Sequence, residues 1–338
     1  MALQITWFIL LGVLLAGYAI LDGFDFGVGM LHLFVKDDQD RRILLNSIGP
    51  VWDGNEVWLV TAGGAMFAAF KDMYATVFSG FYLVFMLLLM ALIFRAVSIE
   101  FRSKEPMLWW RKLWDGCFFI GSLLAAVLLG AFVGNIARGV PLNASGTFTG
   151  TILTLLNPYA LLVAVTTVAL FMMHGSIYLV MKTEGALHDR VRQWVNNSII
   201  FFIICAVATT MVTLIYFPRL TDAFRLHPAL FIVPLLLMLA IANVPREISL
   251  KNDFLAFISS AAAITLLLAT LAIGLFPNLV YATNNPAHSL TIYSASSSQY
   301  TLGIMLIIAI IGMPLVLGYT TYVYWIFRHK TRLDAHSY

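Results

Sequence analysis

Long apolar runs separated by short polar stretches set the pattern of this chain. Nine such runs stand at about 4–34, 51–70, 74–97, 115–136, 157–181, 197–217, 228–244, 254–275 and 300–327. Each is close to the roughly 17–25 residues that a helix needs to cross a bilayer. The pattern predicts an all-α integral membrane protein with about nine transmembrane helices. Pro50 and Pro158 fall at helix starts, where a missing N–H is no loss. Pro218 and Pro277 close apolar runs, and Pro314 inside the last run predicts a kink.

Composition agrees with the pattern. Of 338 residues, 61% are hydrophobic and 11% charged, against about 25% charged in soluble domains. Mean hydropathy is +0.89. The whole of 1–338 reads as a single polytopic membrane domain. A net charge of +3 gives no basis for binding nucleic acid. The N-terminal MALQITW has no Lys or Arg before its apolar run, which continues to about residue 34, so the run reads as a retained first helix. Cys117 and Cys205 both fall inside or beside apolar runs and imply no disulfide framework.

Basic residues set the orientation. The connections 35–50, 98–114, 182–196 and 245–253, the tail 328–338 and Arg95 at its helix edge hold 16 of the 20 Lys and Arg. Lys71, Arg138, Arg219 and Arg225 fall on the other side. The positive-inside rule then predicts an outer N-terminus and a cytoplasmic C-terminus, which requires an odd number of crossings. Trp109, Trp110 and Trp114 mix with basic residues in 100–115 as an interfacial belt. Residues 276–299 contain no Asp, Glu, Lys or Arg and read as an ordered outer loop. A faint repeat relates Gly23 and Asn46-Ser47-Ile48 to Gly175 and Asn197-Ser198-Ile199. It suggests two units, roughly 1–140 and 155–275, with a ninth helix at about 300–327, and chance is the alternative for so short a match.

Four acids interrupt the first two runs. Asp22 and Asp25 are three residues apart and share one helix face, as do Asp53 and Glu56. A charge in hydrocarbon costs at least about 2.5 kcal/mol, so these acids should face a bundle interior, a partner or a water path. Placed as a ladder from the cytoplasmic side, carboxyls of this kind can pass protons. Trp52, Asn55 and Arg95 stand as supporting residues. The structural alternative makes Asp53 a helix cap and pairs Asp22 and Asp25 with Arg95 to hold helices together. Trp58 reads either as an interfacial anchor or as lining for a small apolar molecule. Gly23, Gly27, Gly29, Gly63 and Gly64 offer small faces for close helix packing.

His174 is the only histidine deep in a run. With no second histidine beside it, the chain offers little for haem. His32 falls at a helix end, and His188, His227, His288, His329 and His336 fall in connections. No metal spacing, phosphate loop or nucleophile motif is present. Residue chemistry leaves three readings open: a proton-uptake subunit of a larger enzyme, a stand-alone proton-coupled transporter, and a purely structural partner.

The segments DGFDFGVGML (22–31), RRILLNSIGPVWDGNEVWLVTAGGAMFAAF (41–70), FRAVSIEFRSK (94–104), WDGCFFIGS (114–122), GNIARGVPLN (134–143) and SLTIYSASSSQYTL (289–302) resemble subunit II of cytochrome bd-type quinol oxidases. FSGFY (78–82) and LLNPYALL (155–162) add to the likeness, which covers nearly the whole chain. The resemblance implies two four-helix bundles plus one peripheral helix in a bacterial plasma (inner) membrane. It implies a haem-bearing subunit I as partner, with b-type and d-type haems or b-type only, and no haem held by this chain. The complex would oxidise quinol and reduce O2 to water with cytoplasmic protons. A small single-helix subunit and a bound quinone or lipid are compatible with it. By motif, Asp22 and Asp25 match the family's DGFD acids and Asp53 its WDGN acid, at an interface proposed to feed protons to the haem site. Glu56 stands where an amide is common. Trp58 matches a tryptophan linked to an apolar O2 route in relatives.

Overall fold

The computed structural model describes residues 1–333, so His336 lies outside the described residues. The apolar runs form helices α1 (Ala2–Leu31), α3 (Trp52–Ala69), α4 (Lys71–Gly80) and α5 (Tyr82–Phe101), with α2 (Asp38–Ile48) between the first two. Then come α6 (Leu108–Arg138), the single turn α7 (Ile152–Leu155), α8 (Pro158–Lys182) and α9 (Gly185–Tyr216). The short α10 (Asp222–Leu226), α11 (Ile232–Ser249), α12 (Asp253–Leu275) and α13 (Gln299–Ile326) complete the order. Asn157 caps α8 by accepting from the Ala160 N–H at 3.0 Å, and Pro158 follows as its first residue.

Eight helical spans among the described residues are long and apolar enough to cross a membrane. The ninth expected span, α3, falls short in apolarity because it carries Asp53 and Glu56. It still runs beside α1 in the opposite direction. Asn55 reaches the Leu21 carbonyl, and near the other end the Ser297 N–H donates to Ala69 O while Gln4 reaches Ser296.

The helices pack as two groups. One is α1, α3, α5 and α6; the other is α8, α9, α11 and α12. They meet where α8 packs along α6 and crosses α1. A Cβ on Gly27 would fall 2.0 Å from Phe171 O and 2.7 Å from Gly175 Cα, so glycine at both positions is what lets the two backbones touch. Gly23 and Gly29 also sit under neighbours, Phe171 and Ser122. No atom of a described residue lies within 4 Å of a Cβ at Gly63 or Gly64, so these two take no part in packing within this chain. Helix α13 leans on α3 and α1 with Leu302 as its one buried residue, and is the peripheral helix.

At one end, residues 139–151 fold against a small hairpin of β1 (Asn278–Val280) and β2 (Leu290–Thr291), with Asn284 bonded both ways to Leu142. The 276–299 loop is thus ordered. At the other end, α2 fills what reads as a loop in sequence, capped by Asp37 through Gln39 and Asp40 N–H. Likewise 185–196 is the start of α9, so His188 is helical, and α11 continues through Pro245 instead of stopping before it. Polar residues at an interface can form helix without an apolar run, and an apolar-run count misses them.

Candidate functional site

Three of the four acids lie around one buried arginine. Arg95 is fully buried in α5, not at an aqueous edge as its place in the basic-side tally assumed. Gly121 on α6 allows this: a Cβ there would come 2.7 Å from Ala91 O and 3.1 Å from Arg95 N. Arg95 Nη2 lies 2.6 Å from Asp22 Oδ1 and 2.6 Å from Glu56 Oε1, bridging α1 and α3. Its guanidinium sits 4.4 Å over the Phe26 ring.

Asp25 takes a different partner. The Asn55 amide Nδ2 donates to Asp25 Oδ2 at 2.8 Å and to Leu21 O at 3.1 Å. Asn55 Oδ1 accepts from the Tyr324 hydroxyl of α13 at 2.9 Å. Arg95 Nε and Nη1 and Asp25 Oδ1 make no hydrogen bond to a described residue. Burial grades across the four acids. Asp22 and Asp25 are 0% exposed, the Glu56 side chain is 23% exposed, and Asp53 lies on the outward face of α3. Asp53 therefore stands apart from the cluster. It does not cap its helix either, since Val51 holds the cap position without a side-chain bond.

The aromatic neighbours divide. Trp58 is buried against Gly17, whose Cβ would meet the indole, while Trp52 is half-buried. Asn55 and Trp58 occupy the α1-facing side of α3; Asp53, Val57 and Val60 occupy the other.

A second polar centre, at the α2 end, escapes a sequence reading. Asp115 of α6 is paired with His32 Nε2 at 2.5 Å, Arg41 Nη1 at 2.6 Å and Arg102 Nε at 2.5 Å. Asp38 accepts from Arg102 Nη2 at 2.7 Å and Arg111 Nη1 at 2.8 Å. The net ties α1, α2, α5 and α6 together. Its residues look like an ordinary basic interface in sequence. Only the acid Asp115, just inside an apolar run, hinted at a buried partner.

Of the two buried imidazoles, His174 has both ring nitrogens engaged. His174 Nε2 lies 3.0 Å from Ile20 O and Nδ1 2.7 Å from Ser260 Oγ, with the ring stacked on Phe257 at 4.7 Å. His32 Nε2 is paired with Asp115 and its ring is packed edge-on by Phe118, while Nδ1 makes no hydrogen bond to a described residue. No cluster of metal-ligating side chains occurs among the described residues.

Comparison with known proteins places the whole chain in a family. The model of the family described as cytochrome bd terminal oxidase subunit II matches residues 3–327. The chain is 36% identical over 354 aligned positions to cytochrome bd-I ubiquinol oxidase subunit 2 of Escherichia coli (strain K12), covering 96% of this chain and 93% of that one. It is 36% identical over 334 positions to cytochrome bd ubiquinol oxidase subunit 2 of Bacillus subtilis (strain 168), covering 97% of each. The solved structure of bd oxidase from Geobacillus thermodenitrificans matches with a TM-score of 0.81 at 18% identity, over 97% of this chain and 99% of that one, which speaks to the fold. With a family match along almost its full length and multiple apolar helices, this chain is a multi-pass bacterial inner-membrane protein and belongs to the cytochrome bd terminal oxidase subunit II family.

Proposed function

We propose that this chain is the haem-free second subunit of a membrane complex that oxidises quinol and reduces O2, and that its buried acids pass protons toward a haem-bearing subunit I. The oxidase names of its relatives support the first part. The observation that carries the second is the Arg95 guanidinium bridging Asp22 and Glu56 at 2.6 Å each, with Asp25 one turn away on Asn55.

Three carboxyls face one guanidinium. Isolated charge is costly in this environment, so bound protons balance the remainder. Protons held by hydrogen-bonded carboxyls can move between them. Place along the helices gives an order: Asp53 and Glu56 lie in the first turns of α3, at the α2 end, and Asp22 and Asp25 lie buried on α1. Positive-inside orientation puts the α2 end in the cytoplasm, where the protons start. The outward face of α3, with Asp53, Val57 and Val60, is the side we assign to the partner. Haem in that partner would supply the oxygen chemistry. This chain's part is to hold and deliver protons.

Quinol-driven O2 consumption by the purified complex tests the proposal. Glu56→Gln and Asp25→Asn should each slow turnover by about a hundredfold or more, the low end for losing a positioned proton carrier, with haem spectra retained. Asp53→Asn should slow it less. Normal turnover in both of the first two variants would remove the proton role. The Asp22–Arg95 pair, joining α1 to α5, favours a second, purely structural reading for Asp22. That reading predicts that Asp22→Asn loses assembly instead of rate.

A further inference from the structure

We propose that Tyr324, on the peripheral helix α13, is a positioning residue that fixes which oxygen of Asp25 carries a proton, acting through the amide of Asn55. The inference rests on reading Asp25 as a proton carrier.

A primary amide has two N–H groups and one oxygen. Both amide protons of Asn55 have acceptors, Leu21 O at 3.1 Å and Asp25 Oδ2 at 2.8 Å, and its oxygen accepts from Tyr324 at 2.9 Å. In this orientation Asp25 Oδ2 is an acceptor. A proton on Asp25 must then sit on Oδ1, the oxygen with no hydrogen bond to a described residue. A flipped amide would set its oxygen against Leu21 O and turn its N–H groups away from Asp25. The Leu21 carbonyl, which can only accept, selects the held orientation, and the tyrosine hydroxyl completes it by donating to the amide oxygen, which keeps the amide seated against Asp25.

Tyr324 is itself held. Its ring lies edge-on to Phe24 at 6.4 Å, and Phe24 stacks on Tyr178 at 4.0 Å. Beyond it the chain is clamped to the end of α8. Lys182 Nζ donates to Phe327 O, Lys330 Nζ to Val180 O at 2.9 Å, and the Thr331 N–H to Lys182 O at 2.8 Å. A helix otherwise exposed along most of its length is thus anchored at the turn that meets Asn55. The charged and titratable groups facing Asp25 are Asp22 on its own helix, Glu56 from α3, Arg95 from α5, Tyr178 from α8 and Tyr324 from α13. Of these, Tyr324 alone reaches Asn55 by a hydrogen bond.

The test compares Tyr324→Phe with Asp25→Asn in the purified two-subunit complex, reading kcat and quinol KM across pH. Tyr324→Phe should lower kcat by about three- to tenfold, the range of one hydrogen bond. It should move the pH midpoint of kcat, leave quinol KM unchanged and keep the haem spectrum. A wild-type kcat and pH profile in Tyr324→Phe, with Asp25→Asn slow, overturns the inference and leaves the proton reading standing. A normal Asp25→Asn enzyme overturns the proton reading itself. Where the Tyr324→Phe complex is not recovered, Asn55→Leu serves instead. It removes the amide through which Tyr324 acts and should shift the same midpoint; an unmoved midpoint overturns the inference.

Discussion

Replacing Gly27 with alanine adds one methyl group where α1 crosses α8. That methyl would lie 2.0 Å from Phe171 O, 2.7 Å from Gly175 Cα and 2.9 Å from Gly175 N, all backbone atoms of α8. Ordinary contact begins at 3.4 Å, so α8 must retreat by about 1.4 Å along the worst contact. A rigid retreat of that size would stretch the His174–Ile20 O bond from 3.0 Å to beyond hydrogen-bond reach. Overpacking costs about 1–3 kcal/mol and the lost bond about 1 kcal/mol more, so the loss is about 2–4 kcal/mol. The assay is thermal unfolding of the detergent-purified complex. Gly12→Ala is the control, because nothing lies within 4 Å of its added Cβ and alanine favours helix there. Gly27→Ala should melt several degrees below wild type, and Gly12→Ala at or above it. If the two variants melt together, the close crossing of α1 and α8 is not as described.

Asp115→Asn removes the anion shared by His32, Arg41 and Arg102. It should cost about 3–5 kcal/mol, as breaking a buried ion pair does, and lower the melting temperature far more than Asp53→Asn. Lys182→Met takes one bond from the clamp after α13, and trypsin should then cut at Arg328 and Lys330 faster than in the wild type.

Much of the fold is legible because lipid forbids most alternatives. A span must be apolar and helical, so apolar runs located α1, α5, α6, α8, α9, α11, α12 and α13. The site was legible for the same reason: Asp22, Asp25 and Glu56 stand out because hydrocarbon does not tolerate them. Spacing alone does not set which face of α3 turns inward. Asp53 and Glu56 share an i,i+3 relation, yet Glu56 reaches Arg95 and Asp53 faces out. Arg95 was misplaced because a basic residue near a helix end reads as interfacial until Gly121 is seen to let α6 close over it. Helix α2 and the Asp115 net were hidden because charged interfacial segments carry no apolar period. Tyr324 carries no mark in the sequence, since a tyrosine late in a membrane helix ordinarily belongs to the aromatic belt.

Proton uptake during a single turnover tests the central claim most directly. The fully reduced complex, oriented in vesicles with the α2 end toward a pH-sensitive dye, is mixed with O2 while haem oxidation is followed in parallel. The account predicts that wild-type complex takes protons from the α2 side in step with haem oxidation, and that Asp25→Asn delays uptake with haem content unchanged. Proton uptake at the wild-type rate in Asp25→Asn and Glu56→Gln alike would contradict it.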